Sequence, residues 1–314
     1  MWRQCEVLMN FEVAHQEKHV RMSGLIVSLT IVVLAAVGLF GLTVASTRNC
    51  RTLHRNLAGC LTLLIGGTYF GLLWDRALLS QIVPHANLII LGNWFPFFAA
   101  VLAGLSWTGT TGRIRRYLNS GSLLAVGAWA VAYPLIGQAP ECSSKWQNEV
   151  CLQTTPYSCS AASAATILKA HGIEASEAEM AELCLTRRGT NWMGLYRGLA
   201  LKTAGTAWKP VVFETDASGL QARNAGPVIL VAELPDNPSV DPVFREACGW
   251  IPGQAHSVVF FDFLTEDTVQ MADPMFGREL WKASDLDVLW TGRAIGLVPR
   301  NDSADRSQQM ARRD

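Results

Sequence analysis

Hydrophobic and polar positions divide the chain near residue 138. Before it, four stretches, residues 23–45, 57–74, 77–112 and 117–140, hold no Asp, Glu, Lys or Arg. A bilayer-spanning helix needs about 20 mainly apolar residues, and these blocks supply that length. The first, SGLIVSLTIVVLAAVGLFGLTVA, is rich in β-branched residues that favour strand in water. An unbroken run of 23 uncharged residues favours a membrane helix instead. It exceeds the apolar core of a signal peptide, and no convincing small-residue cleavage site follows it. The second span is LAGCLTLLIGGTYFGLLW, with Trp74 at an interface position. The third lies within residues 88–107 with a kink expected at Pro96, and the fourth is LLAVGAWAVAYPLIG, starting near Tyr117. Four spans are expected; three or five are the neighbouring counts, because Pro84 and His85 break the third block. The glycines and tryptophans here read as packing and interfacial anchoring. No charged residue lies within a span, so the sequence announces no ion path.

After residue 138 the pattern is that of a folded α+β domain over 139–300, following a tail (1–22) and a membrane domain (23–138) and preceding a polar, disordered tail (301–314). Composition changes at GQAPECSSKWQNEVC, where Pro, Ser and charge appear together as a linker. Apolar positions predict a helix over 159–170 stopped by Gly172. A second begins at Ser176, with Glu179 completing a capping box. A third spans about 191–203 behind Thr190 or Asn191. Strands follow: WKPVVFE, GPVILVAEL, HSVVFFDF and TVQMADP, the last two joined by LTED as a hairpin turn. Helices first and strands after give an α+β layout.

Charge refines the picture. Asp, Glu, Lys and Arg make up 17% of the chain and balance to zero, which leaves no electrostatic footprint for nucleic acid. Arg48, Arg51 and Arg55 follow the first span and Arg113, Arg115 and Arg116 the third, against Arg76 alone after the second. The positive-inside rule then places the folded domain outside the cytoplasm, although Arg3, Lys18 and Arg21 in the tail oppose this orientation. The expected location is a multi-pass integral protein of a bacterial inner or plasma membrane.

The candidate chemistry begins at QTTPYSCSAASAATILKAHG. Cys159 opens a helix, where unpaired N–H groups and a partial positive charge stabilise a thiolate. A small buried hydrophobe fits the same place. A nucleophilic thiol needs an imidazole. His171 lies at the far end of the same helix, about 18 Å away at 1.5 Å per residue, and reads as a C-terminal residue facing the dipole. His256, opening HSVVFFDF, remains. Folding at LTED brings Asp273 beside His256, whereas Asp262 projects about 20 Å along the same strand. Gln153, six residues before Cys159, is a candidate oxyanion donor with the Cys159 N–H; a linker glutamine is the plain alternative.

Gln-x5-Cys at a helix start, then His, then Asp-Pro, resembles papain-like cysteine peptidases. More closely, LQTTPYSCSAASAATILKAHGI, SEAEMAELC, GTNWMGLYRGLALKTAG, GPVILV, HSVVFF, ADPMFG and LWTGRAI, over about residues 150–297, resemble the double-glycine peptidases that process bacteriocin leaders. The resemblance implies a papain-like fold with Cys159 as nucleophile, His256 as base, Asp273 as orienting acid and Gln153 in the oxyanion hole. Two features depart from the family. Ser160 stands where these peptidases usually have glycine, and the domain follows the membrane part instead of preceding it. The chain has no G-x4-G-K-[ST] phosphate loop, so no ATPase domain is read in it.

The implied function is a membrane-anchored cysteine peptidase that works through a thioester and matures a peptide or protein at the bilayer. An inactive peptide-binding module, or a thiol acyltransferase or amidase on the same fold, are the alternatives. No cofactor and no metal site are expected: HQEKH lacks the glutamate a zinc protease places after its first His, and there is no C-x-x-C pair. With Cys159 set aside, Cys142, Cys151, Cys184 and Cys248 remain in the domain. An exported domain is expected to oxidise them, as Cys142–Cys151 and Cys184–Cys248.

Overall fold

The computed structural model describes residues 2–77, 80, 85–91, 94–223, 226–237, 240–246 and 249–300, and for residues 2–23 the backbone alone. The chain divides into two compact units, Met1–Ile136 and Gly137–Asp314.

In the first unit, α1 (Trp2–Thr47) is one 46-residue helix, so the tail and the first apolar block are continuous. Its Gly24–Thr47 segment is long and apolar enough to cross a membrane, and among the described residues no other helix meets the same test. α2 (Thr52–Leu72) and α5 (Arg113–Ala132) cover the second and fourth blocks. Both leave large side chains uncovered: Leu57, Leu61, Leu64 and Leu72 on α2, and Ile114, Leu118 and Trp129 on α5.

The expected third span departs most from the pattern. It is split into α3 (Ala86–Ile90) and α4 (Phe95–Gly109), with Trp94 between them in the left-handed region at φ 68°. Pro96 therefore does not kink a helix interior. It sits in the first turn of α4, where its missing N–H has no intrahelical role. Pro84 lies outside the described residues, and His85 is the N-cap of α3. α4 packs against α1, α2 and α5 through small residues. A Cβ on Gly104 would lie 2.8 Å from the Thr43 Cβ, and one on Gly127 would lie 3.1 Å from that of Ala99. Such close backbone approach is how helices associate where burial of apolar surface gives no drive. Thr47 and Thr108 hydroxyls at 2.9 Å, and Ser120 donating to the Ala103 carbonyl at 3.0 Å, add hydrogen bonds across these contacts.

The second unit opens with a short hairpin, β1 (Lys145–Gln147) and β2 (Val150–Leu152). Three helices follow: α6 (Cys159–Ala170), α7 (Glu177–Leu183) and α8 (Trp192–Lys202). Ser176 and Asn191 accept the N–H groups of Glu179 and Gly194, so both N-caps form; the expected capping box is met only in its Ser176 half, and the Glu179 carboxylate pairs with Lys202 at 2.8 Å. Next come β3 (Trp208–Glu214), α9 (Ala217–Ala222), β4 (Val228–Glu233), α10 (Val243–Glu246), β5 (Ala255–Phe263), β6 (Thr268–Asp273), β7 (Gly277–Lys282), α11 (Ala283–Leu289) and β8 (Trp290–Pro299). The six long strands form one antiparallel sheet in the order β3-β8-β4-β5-β6-β7. The arrangement is α+β, as the order of helices and strands predicts. The tail 301–314 lies outside the described residues.

α6 is buried from Ser160 to Leu168, which suits a helix apolar or small all round. Its alanines at 161, 162, 164 and 165 let it lie close to β2, β4 and β5. Beyond the sheet, Leu220, Leu230, Val258, Phe260, Met271 and Leu286 form a core cluster.

One buried carboxylate ties the segment before α6 to α7. Glu177 is fully buried and accepts the Thr154 N–H at 2.7 Å, the Thr154 hydroxyl at 2.8 Å and the Ser144 N–H at 3.3 Å. Glu177→Ala strips two backbone donors and a hydroxyl of their acceptor, a loss expected to cost about 3 kcal/mol. The melting temperature of the full chain in detergent, followed by tryptophan fluorescence, should fall accordingly. An unchanged melting temperature would remove Glu177 as the anchor of this segment.

Candidate active site

Cys159 is the first residue of α6, whose N-cap, Ser158, makes no side-chain capping bond. Ser158 directs its hydroxyl to Thr155 instead, at 2.8 Å from Oγ1 and 3.0 Å from the carbonyl oxygen. The positive end of a 12-residue helix is thus left to the thiol. His256, on β5, places Nε2 3.0 and 3.1 Å from the two carboxylate oxygens of Asp273, the last residue of β6. Nε2 being occupied, Nδ1 is the ring nitrogen left for Cys159, whose electrostatics are coupled to those of His256.

Register explains why the His256–Asp273 pair forms. Near the turn, Asp262 faces Gln270 and Phe263 faces Val269. Continued without interruption, that register would set Asp273 opposite Val259, on the face away from His256. A bulge between Phe260 and Asp262 shifts the pairing by one, so that Val259 faces Ala272. Asp273 then falls opposite Val258, and residues 256 and 258 share a face. Asp273 is buried and accepts the Met275 N–H at 2.7 Å, which fixes its carboxylate. Asp262, by contrast, is exposed and accepts its neighbour Phe263's N–H. His171 caps α6 with Nδ1 2.8 Å from the Ile167 carbonyl oxygen.

Electrostatics separate Cys159 from the other thiols. Burial opposes its ionisation, but the hydrogen bond and charge of His256, the Ser257 backbone and the Ser160 hydroxyl outweigh it, and its pKa is lowered. For His256, burial disfavours the imidazolium. Asp273 and Cys159 override that penalty and raise its pKa to about 10. Both shifts favour a thiolate–imidazolium pair. Burial, reinforced by the Glu177 charge, lifts Cys142 to about 11 and Cys151 to about 12. Burial likewise lifts Cys184 to about 12.

Gln153 is tied to the same corner. Its N–H donates to the Pro274 carbonyl at 2.7 Å, directly after Asp273. Its Nε2 donates one hydrogen to the Thr155 carbonyl at 3.1 Å, leaving a second N–H on that nitrogen. The Oε1 atom is buried without a partner among the described residues.

Four residues contribute to the site beyond those assigned to it from the sequence. Ser160 and Ser257 hydroxyls lie 2.8 Å apart and Ser163 donates to the Ser257 carbonyl at 3.0 Å, all three side chains being buried. These bonds join the residue after Cys159 to the residue after His256. The only signal was Ser160 itself, standing where the resembled family has glycine. Trp250 packs edge-on against His256, centroids 5.4 Å apart, and nothing in the sequence marks it.

The expected disulfides are corrected in one case. Cys142 and Cys151 are free thiols. The β1–β2 register sets Trp146, not Cys142, opposite Cys151. Cys184 is also free, buried against Gly198; its expected partner Cys248 lies outside the described residues.

No family model matches the chain. An uncharacterised protein of Methanothermobacter thermautotrophicus is 27% identical over 146 residues, covering 46% of this chain and 85% of that one. Among solved structures, the peptidase domain of Streptococcus ComA, a bi-functional ABC transporter of a quorum-sensing pathway, aligns with a TM-score of 0.38. It is 20% identical, over 48% of this chain and 96% of that domain. A double-glycine-motif protease from an AMS/PCAT transporter, solved with its leader peptide, aligns with a TM-score of 0.37 at 17% identity, over 52% of this chain and 95% of that one.

At about pH 7, where an ordinary thiol is mostly protonated, limiting iodoacetamide should alkylate Cys159 at least about tenfold faster than Cys142, Cys151 or Cys184. Peptide mapping by mass spectrometry reads the sites, and His256→Ala should erase the preference. Faster labelling of any of the other three in the folded chain would contradict the electrostatic assignment.

Proposed function

We propose that this chain is a membrane-anchored cysteine peptidase. Cys159 is the nucleophile, His256 the acid–base, Asp273 the group that orients it and Gln153 an oxyanion donor. The observation that supports this reading most is the meeting of a lowered-pKa thiol at a helix start with an imidazole whose far nitrogen lies 3.0 Å from a buried carboxylate.

The chemistry follows from the pair. The Cys159 thiolate attacks the peptide carbonyl, and the developing oxyanion is met by the Cys159 N–H and the spare Gln153 N–H. The C–N bond breaks as His256 gives its proton to the leaving amine. Water, losing a proton to His256, then cleaves the thioester and releases the acid.

The anchor is α1, and α2, α4 and α5 complete a multi-pass membrane unit in this reading. Its support is the uncovered leucines of α2 and α5 and the uncharged blocks they carry. The arginines after the first and third blocks favour a peptidase unit outside the cytoplasm. A reporter fused after residue 300 should be active on the outer side of the membrane; activity on the cytoplasmic side would reverse the orientation.

Cys159→Ala and His256→Ala should each lower peptide release from membranes at least about 10³-fold, as for groups acting as a unit, and Asp273→Asn by less. The kcat/KM profile should be bell-shaped. Falling pH protonates Cys159 at a point below its ordinary 9, and rising pH removes the His256 proton at about 10, so the plateau lies between. An active His256→Ala chain, or an alkaline limb near 6.5, would refute the roles.

A further inference from the structure

A cavity of about 460 Å³ opens beside the His256–Asp273 pair, within the range of small-ligand sites. Its walls are aromatic and acidic: Trp250, Phe276 and Trp281, with Asp273, Glu279 and Asp285. Trp250 links the cavity to the proposed base, since it packs edge-on to both His256 and Trp281, at 5.4 and 5.9 Å between centroids. β7 alternates, so Glu279 and Trp281 share the inward face while Arg278 and Lys282 are exposed on the other.

The charges in this cavity do not balance. Asp273 is matched by His256. Among the described residues Glu279 accepts only the Trp281 indole N–H, at 2.9 Å, and Asp285 only the Lys282 backbone N–H, at 3.1 Å. Among the described residues neither forms an ion pair, and no Lys or Arg lines the cavity. A half-buried carboxylate flanked by two indoles, with no cation of its own, is complementary to a guanidinium or ammonium. The carboxylate supplies the charge, and the indoles supply faces that attract a cation and pack its alkyl stem.

We propose that this cavity receives a basic side chain, arginine or lysine, flanking the scissile bond of the substrate, with Glu279 as the specificity-determining residue. The inference rests on the peptidase reading for its place beside the scissile bond, and its test is binding, not cleavage. Full-length Cys159→Ala protein in detergent is titrated with N-acetyl-arginine amide and with N-acetyl-citrulline amide, its uncharged isostere, following tryptophan fluorescence. The arginine probe should quench saturably and bind about tenfold tighter than the citrulline probe, and Glu279→Gln should remove the difference. Equal binding of the two probes, or a preference that survives Glu279→Gln, overturns the proposal. Should Glu279→Gln fail to fold, the arginine-to-citrulline ratio of the otherwise unaltered chain decides alone. Loss of the probe preference with cleavage intact would sink the cavity and spare the peptidase; the reverse result would do the opposite.

Discussion

The account depends on a single extra residue in a β-hairpin. β5 and β6 carry the proposed base and its carboxylate partner, and side chains of a strand alternate between faces. Without the bulge at Phe261, Asp273 would point to the side of the sheet opposite His256. With it, the imidazole and carboxylate meet at 3.0 Å. The bulge is held from both sides. The Phe261 carbonyl lies so close to Gly226 that a Cβ there would fall 1.8 Å from its oxygen, and the Arg278 guanidinium sits 4.3 Å from the Phe261 ring. Only glycine at 226 allows that approach.

Around this hairpin, separate segments are drawn to one corner. Buried serine contacts hold the start of α6 to the start of β5. The Gln153 N–H holds the strand before α6 to the carbonyl after Asp273, and Glu177 holds that strand to α7. The serine links are hydrogen bonds made where water is excluded, and Glu177 itself is buried, so losing one partner there costs more than the bond itself would contribute in solvent. Burial works against the charge on both Cys159 and His256. Each lowers that penalty for the other, and Asp273 supports the imidazolium. The proposed ion pair would therefore be a property of the assembled corner and of no residue alone.

Much of the second unit was legible in the sequence. Apolar spacing and caps gave α6, α7 and α8, and β-branched runs gave β3 to β6, because these elements obey local rules. Hairpin length alone brought Asp273 to within a few residues of His256, but not onto the same face, which the bulge supplies. Other features were not local. β7, GRELWK, runs two charged residues and then two apolar ones at the edge of the sheet, so the period-two signature of a strand is missing. β8 is inserted between β3 and β4 by tertiary pairing. The bulge, the serine contacts and the approach of Trp250 to His256 depend on which surfaces the fold brings together. Spacing also misled: Cys142 and Cys151 are close in sequence, yet the strand register opposes Cys151 to Trp146. In the first unit, the apolar run across residues 88–107 concealed a left-handed turn at Trp94 that divides it.

The central claim is that Cys159 rests as a thiolate held by protonated His256. It is tested most directly by the ultraviolet absorbance of the thiolate as a function of pH, taken as the difference between the wild type and Cys159→Ser. The account predicts that the Cys159 thiolate forms below the ordinary value of 9 and that His256→Ala moves its appearance upward, since burial is then opposed only by the weaker help of the Ser257 backbone and the Ser160 hydroxyl. A Cys159 thiol that titrates at or above 9 with His256 in place, or one indifferent to the His256 substitution, would contradict the account.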